Sequence, residues 1–438
     1  MNGNRNFRSA ILYLIYFSIF TSLCVNAQGQ AKAEAPRSIE DLNFLGGDAA
    51  MPPFSESVID ARSAFRQKLF DKGMALRLIT QEQYAQNTLA APVPSDEQAY
   101  VGQSPFAAQM EHLIFTWDLR QLKLKHAQFY GSGVWNWVSW RPAGPKAFDI
   151  WDIYLAKDFA AGRLSTKAGY ISNGLEFVGL FVGGSTASGA QGVYAVLPYE
   201  VGMSYFPMAT PAINATLHTT AHTYVKASVQ RSLDAAGGPA SIARNATVFR
   251  FIPHGDRAML LAEGGYRRAA ASQTAETWLR GGYTYNLTRY TDFQTGEKKP
   301  GNSVAYVLYD RQLKQTNEAA PYQGFYAGVT AMTASSQFNA FDRYYEARLY
   351  DDAPFRSRPA DILTFVATYT GHSRYLTNNL LDQGKTEWRN GASMTGSYTI
   401  HAARGQFLSV GLSYLRGASI TPRVDDALTF ATSYTVFF

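Results

Sequence analysis

The chain has 438 residues, with 40 Lys and Arg against 34 Asp and Glu, and its formal charge of +6 is too mild to argue for nucleic acid. Aromatic residues make up 14%, yet the mean hydropathy is −0.19. That combination excludes a helical membrane protein and an ordinary soluble domain, and fits a barrel with a wet interior.

In chain order, Arg5 and Arg8 precede an apolar run from Ala10 to Phe20, and Val25 and Ala27 stand at the spacing a signal peptidase reads. This predicts a secretory signal peptide over 1–27, too short in its apolar part for a membrane span. Removing it leaves a mature excess of four positive charges, and it takes with it Cys24, the one cysteine. An exported chain without disulfides or thiolate metal sites needs another source of stability, and a closed hydrogen-bonded barrel is one. No cofactor is expected.

Residues 28–54 are rich in Ala, Glu, Pro and Gly without periodicity and read as a flexible leader. Over 55–73, Ser55 or Ser57 offers a cap, Val58, Ala61, Phe65 and Leu69 recur at helical spacing, and Gly73 stops the run. An amphipathic helix is expected there, either packed under a barrel mouth or acting as a plug or partner-docking element.

From Met74 to Phe438 the period is two. "MALRLITQEQYAQN" sets Met74, Leu76 and Leu78 against Ala75, Arg77, Ile79 and Gln81; "HLIFTWDLRQL" sets Phe115, Trp117 and Leu119 against Thr116, Asp118 and Arg120. "KHAQFYGSGVWNWVSW" sets Phe129, Trp135 and Trp137 against Gln128, Tyr130 and Asn136. "TLHTTAHTYVKASVQRS" reads as one long strand, with Leu217, Val225 and Val229 opposite His218, Lys226 and Gln230. The same dyad recurs in "AMLLAEGGYRR", "TWLRGGYTYNLTRY", "SVAYVLYDRQL", "GFYAGVTAMTAS", "DILTFVATYT", "TGSYTIHAA" and "GQFLSVGLSYLRG", with weaker strands near Asp152, Tyr199, Thr247 and Arg343. The closing "ALTFATSYTVFF" has a large apolar face (Leu428, Phe430, Tyr434, Phe438) and a small, mostly hydroxylated one (Thr429, Ser433, Thr435), suited to lipid on one side and a wet lumen on the other.

About 17 strands can be counted, and single-chain outer-membrane barrels take even numbers. The expected fold class is therefore all-β: a transmembrane antiparallel barrel of 16 strands, with 18 as the alternative. The last strand must pair with the first to remove both edges, leaving the terminal aromatic at the membrane interface.

Certain segments resemble the carbohydrate-selective porins of the OprB type: "RQKLFDKGMALRLITQEQYAQN" at the barrel's start, then "SVAYVLYDRQL", "RPADILTFVATYTGHSRY" and "LSVGLSYLRGASITPRVDDALTFATSYTVFF" in order. Arg358, Pro359 and Asp361 form the most specific piece. The resemblance runs from about Arg62 to Phe438 and implies passive uptake of sugars across a bacterial outer membrane through 16 strands. The C-terminal Phe resembles the signal read by the barrel assembly machinery. Expected partners are thus sugars as permeants, that machinery, and outer-membrane lipid and lipopolysaccharide, with monomer and homotrimer both open.

Sugars are held by aromatic faces and by charged or amide groups, weakly enough for release. Lumen parity offers Arg77, Asp118, Arg120, Tyr130, Asn136, Lys226, Glu263, Arg267, Trp278 and Arg280. Trp278 and Arg280 are two apart on one strand, a stacking plane beside a donor fork. Trp135 and Trp137 share lipid parity with Phe129 and read as interface-belt aromatics. His218 and His222, about 13 Å apart if on one strand, are too far apart to share a metal. The alternative function is a general or ion-selective porin. Ser185 and Ser188 in "LFVGGSTASGAQG" lack a Gly-x-Ser-x-Gly elbow and read as a loop rather than an enzyme's nucleophile. An energised receptor would need a plug domain, for which 28–72 is too short.

Overall fold

The structure, a computed structural model, describes residues 38–43, 52–140, 147–178, 196–205, 208–244, 249, 251 and 256–438. The expected signal peptide, most of the leader, Thr247, Ser185 and Ser188 lie outside the described residues.

Sixteen strands close into one antiparallel barrel in which each pairs with its sequence neighbours. They are β1 (Met74–Asn87), β2 (Phe106–Asp118), β3 (Ala127–Val138), β4 (Ala147–Phe159), β5 (Leu164–Ile171), β6 (Thr210–His218), β7 (Thr223–Arg231) and β8 (Ala258–Arg268). The second half is β9 (Thr277–Asn286), β10 (Asn302–Gln315), β11 (Gly324–Ala334), β12 (Phe341–Asp352), β13 (Ile362–His372), β14 (Asn390–Ala403), β15 (Gln406–Arg416) and β16 (Ala427–Phe437). The longest connections in sequence, such as β1–β2, β5–β6, β7–β8 and β13–β14, all lie at the end opposite to where β1 starts, and the connections at that starting end are short. The seam is β1 with β16, from Ile79↔Phe437 to Asn87↔Thr429. Beyond it the Phe438 N–H donates to the Leu78 carbonyl at 2.8 Å, and the Val58 N–H to the Phe437 carbonyl at 2.8 Å.

The alternation is obeyed on both faces. Leu113, Trp135, Ile213, Val229, Leu279 and Leu412 stand exposed on the outer wall, while Gln81, Ser132, Asn214, Ser228, Thr330 and Ser433 are buried on the inner one. A wall that is apolar outside and polar inside is stable only between hydrocarbon and a wet lumen.

The structure corrects the sequence reading in several places. "TLHTTAHTYVKASVQRS" is two strands, β6 and β7, joined by a turn in which Thr220 Oγ1 accepts from the Thr223 N–H at 3.0 Å, so His218 and His222 do not lie along one strand. β5 was not anticipated: its outward residues, Leu164, Thr166, Ala168 and Tyr170, alternate too softly to read. Tyr199, read as part of a strand, lies in a short helix. The N-terminal helix is α1 (Ala64–Phe70) alone, capped by Ser63 rather than by Ser55 or Ser57. Its buried residue is Arg66, whose Nη1 donates to Ser57 Oγ at 2.6 Å, while Phe65 is exposed. Upstream of it Phe54–Glu56 make only a single 3-10 turn before the backbone is drawn out to stitch Val58 onto the barrel rim, so the α-helix does not extend back to Ser55.

The Arg358-Pro359-x-Asp361 segment forms the short turn between β12 and β13. Asp361 pairs with Arg358, accepts from the Tyr398 hydroxyl, and takes the His401 N–H at 2.8 Å, so it ties this turn to β14. Burial alone would raise the Asp361 carboxyl, but the hydrogen bonds from Arg358, Tyr398 and His401 outweigh it and hold it below the ordinary carboxylate value. A depressed acid stabilises above its unfolded pKa and loses that contribution as pH falls through the folded one. Asp361→Asn should therefore lower the urea midpoint of the compact, heat-modifiable form at pH 7, and the difference from wild type should vanish only in strong acid. Equal midpoints at pH 7 would remove Asp361 from this role.

Candidate permeation site

The described parts of the connection from β5 to β6 lie inside the lumen. They are α2 (Asn173–Phe177), α3 (Val196–Glu200) and the segment to Tyr205. Phe177, Leu197 and Met203 are buried against Met259, Leu261 and Val304 of the inner wall. Full burial of each such side chain contributes about 1.5–3 kcal/mol, enough for a few of them to hold the segment inside.

Polar anchors fix its position. Asn173 Nδ2 donates to Ser228 Oγ at 3.0 Å and Gln230 Oε1 at 2.9 Å, its Oδ1 accepts from Asn214 at 2.7 Å, and its backbone N–H donates to Ser204 Oγ at 2.9 Å. Gln230 also donates to the Gly202 carbonyl, and Glu200 accepts the Phe341 N–H at 3.0 Å. Lys167 of β5 pairs with Glu176 at 2.5 Å.

Against this segment the wall presents a charged patch on β7, β8 and β9. Lys226 and Glu263 are cross-strand partners, as are Arg267 and Trp278, with Arg280 beside Gly265. Lys226 Nζ donates to the Glu176 carbonyl at 2.8 Å and lies 5.5 Å from the Phe177 ring. Glu263 accepts from the Tyr224 hydroxyl at 2.8 Å and the Tyr306 hydroxyl at 2.7 Å. Both rings can lie flat on the wall because Gly265 and Gly282 carry no Cβ: one there would sit 2.4 Å from Tyr224 and 2.3 Å from Tyr306.

Trp278 and Arg280 share the inner face as expected, but the indole is not an open platform. The Arg280 and Arg267 guanidinium carbons lie 4.0 and 4.3 Å from its ring centroid, and its Nε1 donates to Tyr224 at 3.1 Å. Its role is to orient the guanidiniums, which cation–π contact does without consuming their N–H donors.

The structure therefore brings Lys226, Glu263, Arg267, Trp278 and Arg280 together and leaves the other candidates elsewhere. Arg77 is turned inward yet covered: its guanidinium carbon lies 4.2 Å over Phe54, and the backbone carbonyl of nearby Leu42 accepts from Thr116 at 2.9 Å and Gln128 at 3.1 Å. Residues 38–43 and 52–57 thus sit in the short-turn mouth, joined by Glu40, which takes the Phe54 and Ser55 N–H groups at 2.7 and 2.8 Å. Asp118 and Arg120 do not continue an alternating strand, because β2 ends at Asp118 and Arg120 lies in a 3-10 turn, where the two pair with each other at 2.6 Å. Asn136 is buried on β3, away from the patch, and Tyr130 stacks on Tyr154 at 4.9 Å. Trp135 and Trp137 face outward, 54% and 41% exposed.

Sequence reading missed a second charged node. Arg348 on β12 makes a two-pronged contact with Asp310, at 2.9 and 2.7 Å, and donates to Glu346 at 2.6 Å and Thr330 at 2.8 Å. Asp310 shares inner parity with Tyr306 in "SVAYVLYDRQL", so the signal was present; its partner lay on a strand read only weakly near Arg343.

A closed 16-stranded barrel with an apolar outer wall, a polar inner wall and described parts of the β5–β6 connection seated in the lumen defines a porin, a class of bacterial outer-membrane channel. The chain belongs to the carbohydrate-selective porin family, OprB, whose family model matches residues 87–438. Among solved structures it is similar to the high-pH structure of Pseudomonas putida OprB, at 15% identity and a TM-score of 0.74, over 88% of this chain and 100% of that one. The low-pH structure of the same protein matches at 14% identity and a TM-score of 0.56, over 88% and 99%. At these identities the likeness is one of fold. No curated protein matches the sequence significantly.

Proposed function

We propose that the chain is an outer-membrane channel for passive diffusion of mono- or small oligosaccharides, without catalysis of its own, whose narrowest part lies where the inward segment seated on the β7–β9 patch narrows the lumen. In this reading residues 1–27 are cleaved, the long loops face outward and the short turns face the periplasm. The observation that carries it is the contact of Glu176 and Phe177 with Lys226: it sets the inward segment opposite a wall rich in fixed donors and acceptors. A neutral hydrogen bond nets about 1 kcal/mol in water, so a few such contacts give roughly millimolar binding, weak enough for passage.

Single-channel recordings with added glucose or a disaccharide test this. Wild type should show a concentration-dependent block of ion current, and Arg280→Ala should raise conductance while weakening the block. Wild-type conductance indifferent to sugar would favour a general or ion-selective porin. If Arg280→Ala leaves conductance and block unchanged, the narrowest part is built from other residues.

A further inference from the structure

We propose that the long-loop rim of β14–β16 binds the phosphorylated head group of an outer-leaflet glycolipid, with Arg416 and Arg423 as its ligands. On β15 the outward side chains run Leu412, Tyr414, Arg416, so the wall passes from apolar to amphipathic to cationic within four residues, about 13 Å. Its neighbour β14 adds outward Met394, and Arg416 is paired with Ala392. Just above, the Arg416 and Arg423 guanidinium carbons lie 5.4 and 4.0 Å from the Trp388 ring centroid.

The indole is itself fixed: its Nε1 donates to the Val424 carbonyl at 3.0 Å and its backbone N–H to the Ile420 carbonyl at 2.9 Å. Tyr414 is tied to Asp426. Neighbouring arginines on this rim are neutralised, Arg343 by Asp342 at 2.8 Å and Arg389 by Glu387 at 3.5 Å. Among the described residues neither Arg416 nor Arg423 has a carboxylate within ion-pair distance.

Two exposed guanidiniums held side by side by one ring form a preset anion site, since a planar fork stacked on an aromatic keeps its donors for a phosphate. Its place decides the ligand. A free anion would meet the site through screened charge alone, whereas a lipid phosphate seats there while its acyl chains lie along Leu412 and Met394. The inference rests on the proposed orientation, in which this rim lies in the outer leaflet.

The test is native mass spectrometry of the full-length barrel in detergent, titrated with diphosphoryl lipid A, dephosphorylated lipid A or inorganic phosphate. Wild type should bind diphosphoryl lipid A well above the dephosphorylated form, and inorganic phosphate at equal concentration should not displace it. Arg416→Gln with Arg423→Gln should weaken binding at least about ten-fold, the loss expected from two cations near an anionic surface. Trp388→Leu, which frees both side chains, should weaken it in the same direction. Lys157→Gln, an outward cation 4.9 Å from Phe159 near the opposite rim, should bind as wild type. The site is overturned if the double variant binds normally, if the dephosphorylated lipid binds equally well, or if inorganic phosphate competes. Sugar block recorded on the same double variant should be unchanged, and a wild type that binds lipid A without showing sugar block would uphold this site while sinking the sugar reading.

Discussion

Arg348→Met should be the most damaging single change in the barrel wall, lowering stability by about 3–5 kcal/mol, because it strips the cation from two carboxylates that have no access to water. The side chains of Arg348, Asp310 and Glu346 are 0%, 2% and 0% exposed. Tyr350 adds a hydroxyl to Asp310 at 3.1 Å, and its ring, stacked on Tyr326 at 5.0 Å, walls the group off. The measurement is the urea concentration at which the compact, heat-modifiable form is lost, which should fall sharply. Adding Asp310→Asn and Glu346→Gln to Arg348→Met should recover much of the loss, since the penalty lies in the unpaired charges rather than in a missing attraction. A single variant as stable as wild type would mean that water reaches this node.

Asn173→Leu should have the largest effect on transport. It removes the amide that binds Ser228, Gln230 and Asn214 together, and it takes a hydrogen-bond partner from each of these buried polar groups. The inward segment should leave the wall, so single-channel conductance should rise several-fold and sugar block should disappear. The strand ladder is untouched, so the urea midpoint should move far less than with Arg348→Met. Unchanged conductance would show that the apolar contacts of Phe177, Leu197 and Met203 hold the segment without Asn173.

These two nodes mark where the sequence was readable and where it was not. Facing was legible because lipid and lumen impose opposite chemistry on alternate residues; Thr429, Ser433, Leu428 and Tyr434 all point as their parity predicts. The β6–β7 turn was hidden because Thr219, Thr220 and Thr223 close it with their own hydroxyls, without the Gly or Pro that usually marks a turn. Parity placed Arg77 inside and could not show that Phe54 covers it, since that contact joins segments with no common pattern. Parity put Trp278 and Arg280 on one face, but it could not show that a second guanidinium, Arg267, arrives from a neighbouring strand and covers the ring.

The seam between β1 and β16 has a consequence for the order of folding. All the other strand pairings join neighbours in sequence and can zip as hairpins, whereas Ile79 meets Phe437 across almost the whole barrel sequence. The loop-closure cost grows only slowly with length, so the seam is affordable once the hairpins stand, but it cannot precede them. Until it closes, the nascent sheet carries two bare edges, each able to pair with another chain. The hydrogen bonds of Phe438 to Leu78 and of Val58 to Phe437 lie at the end of that seam, where a closing sheet would be latched and protected from mispairing.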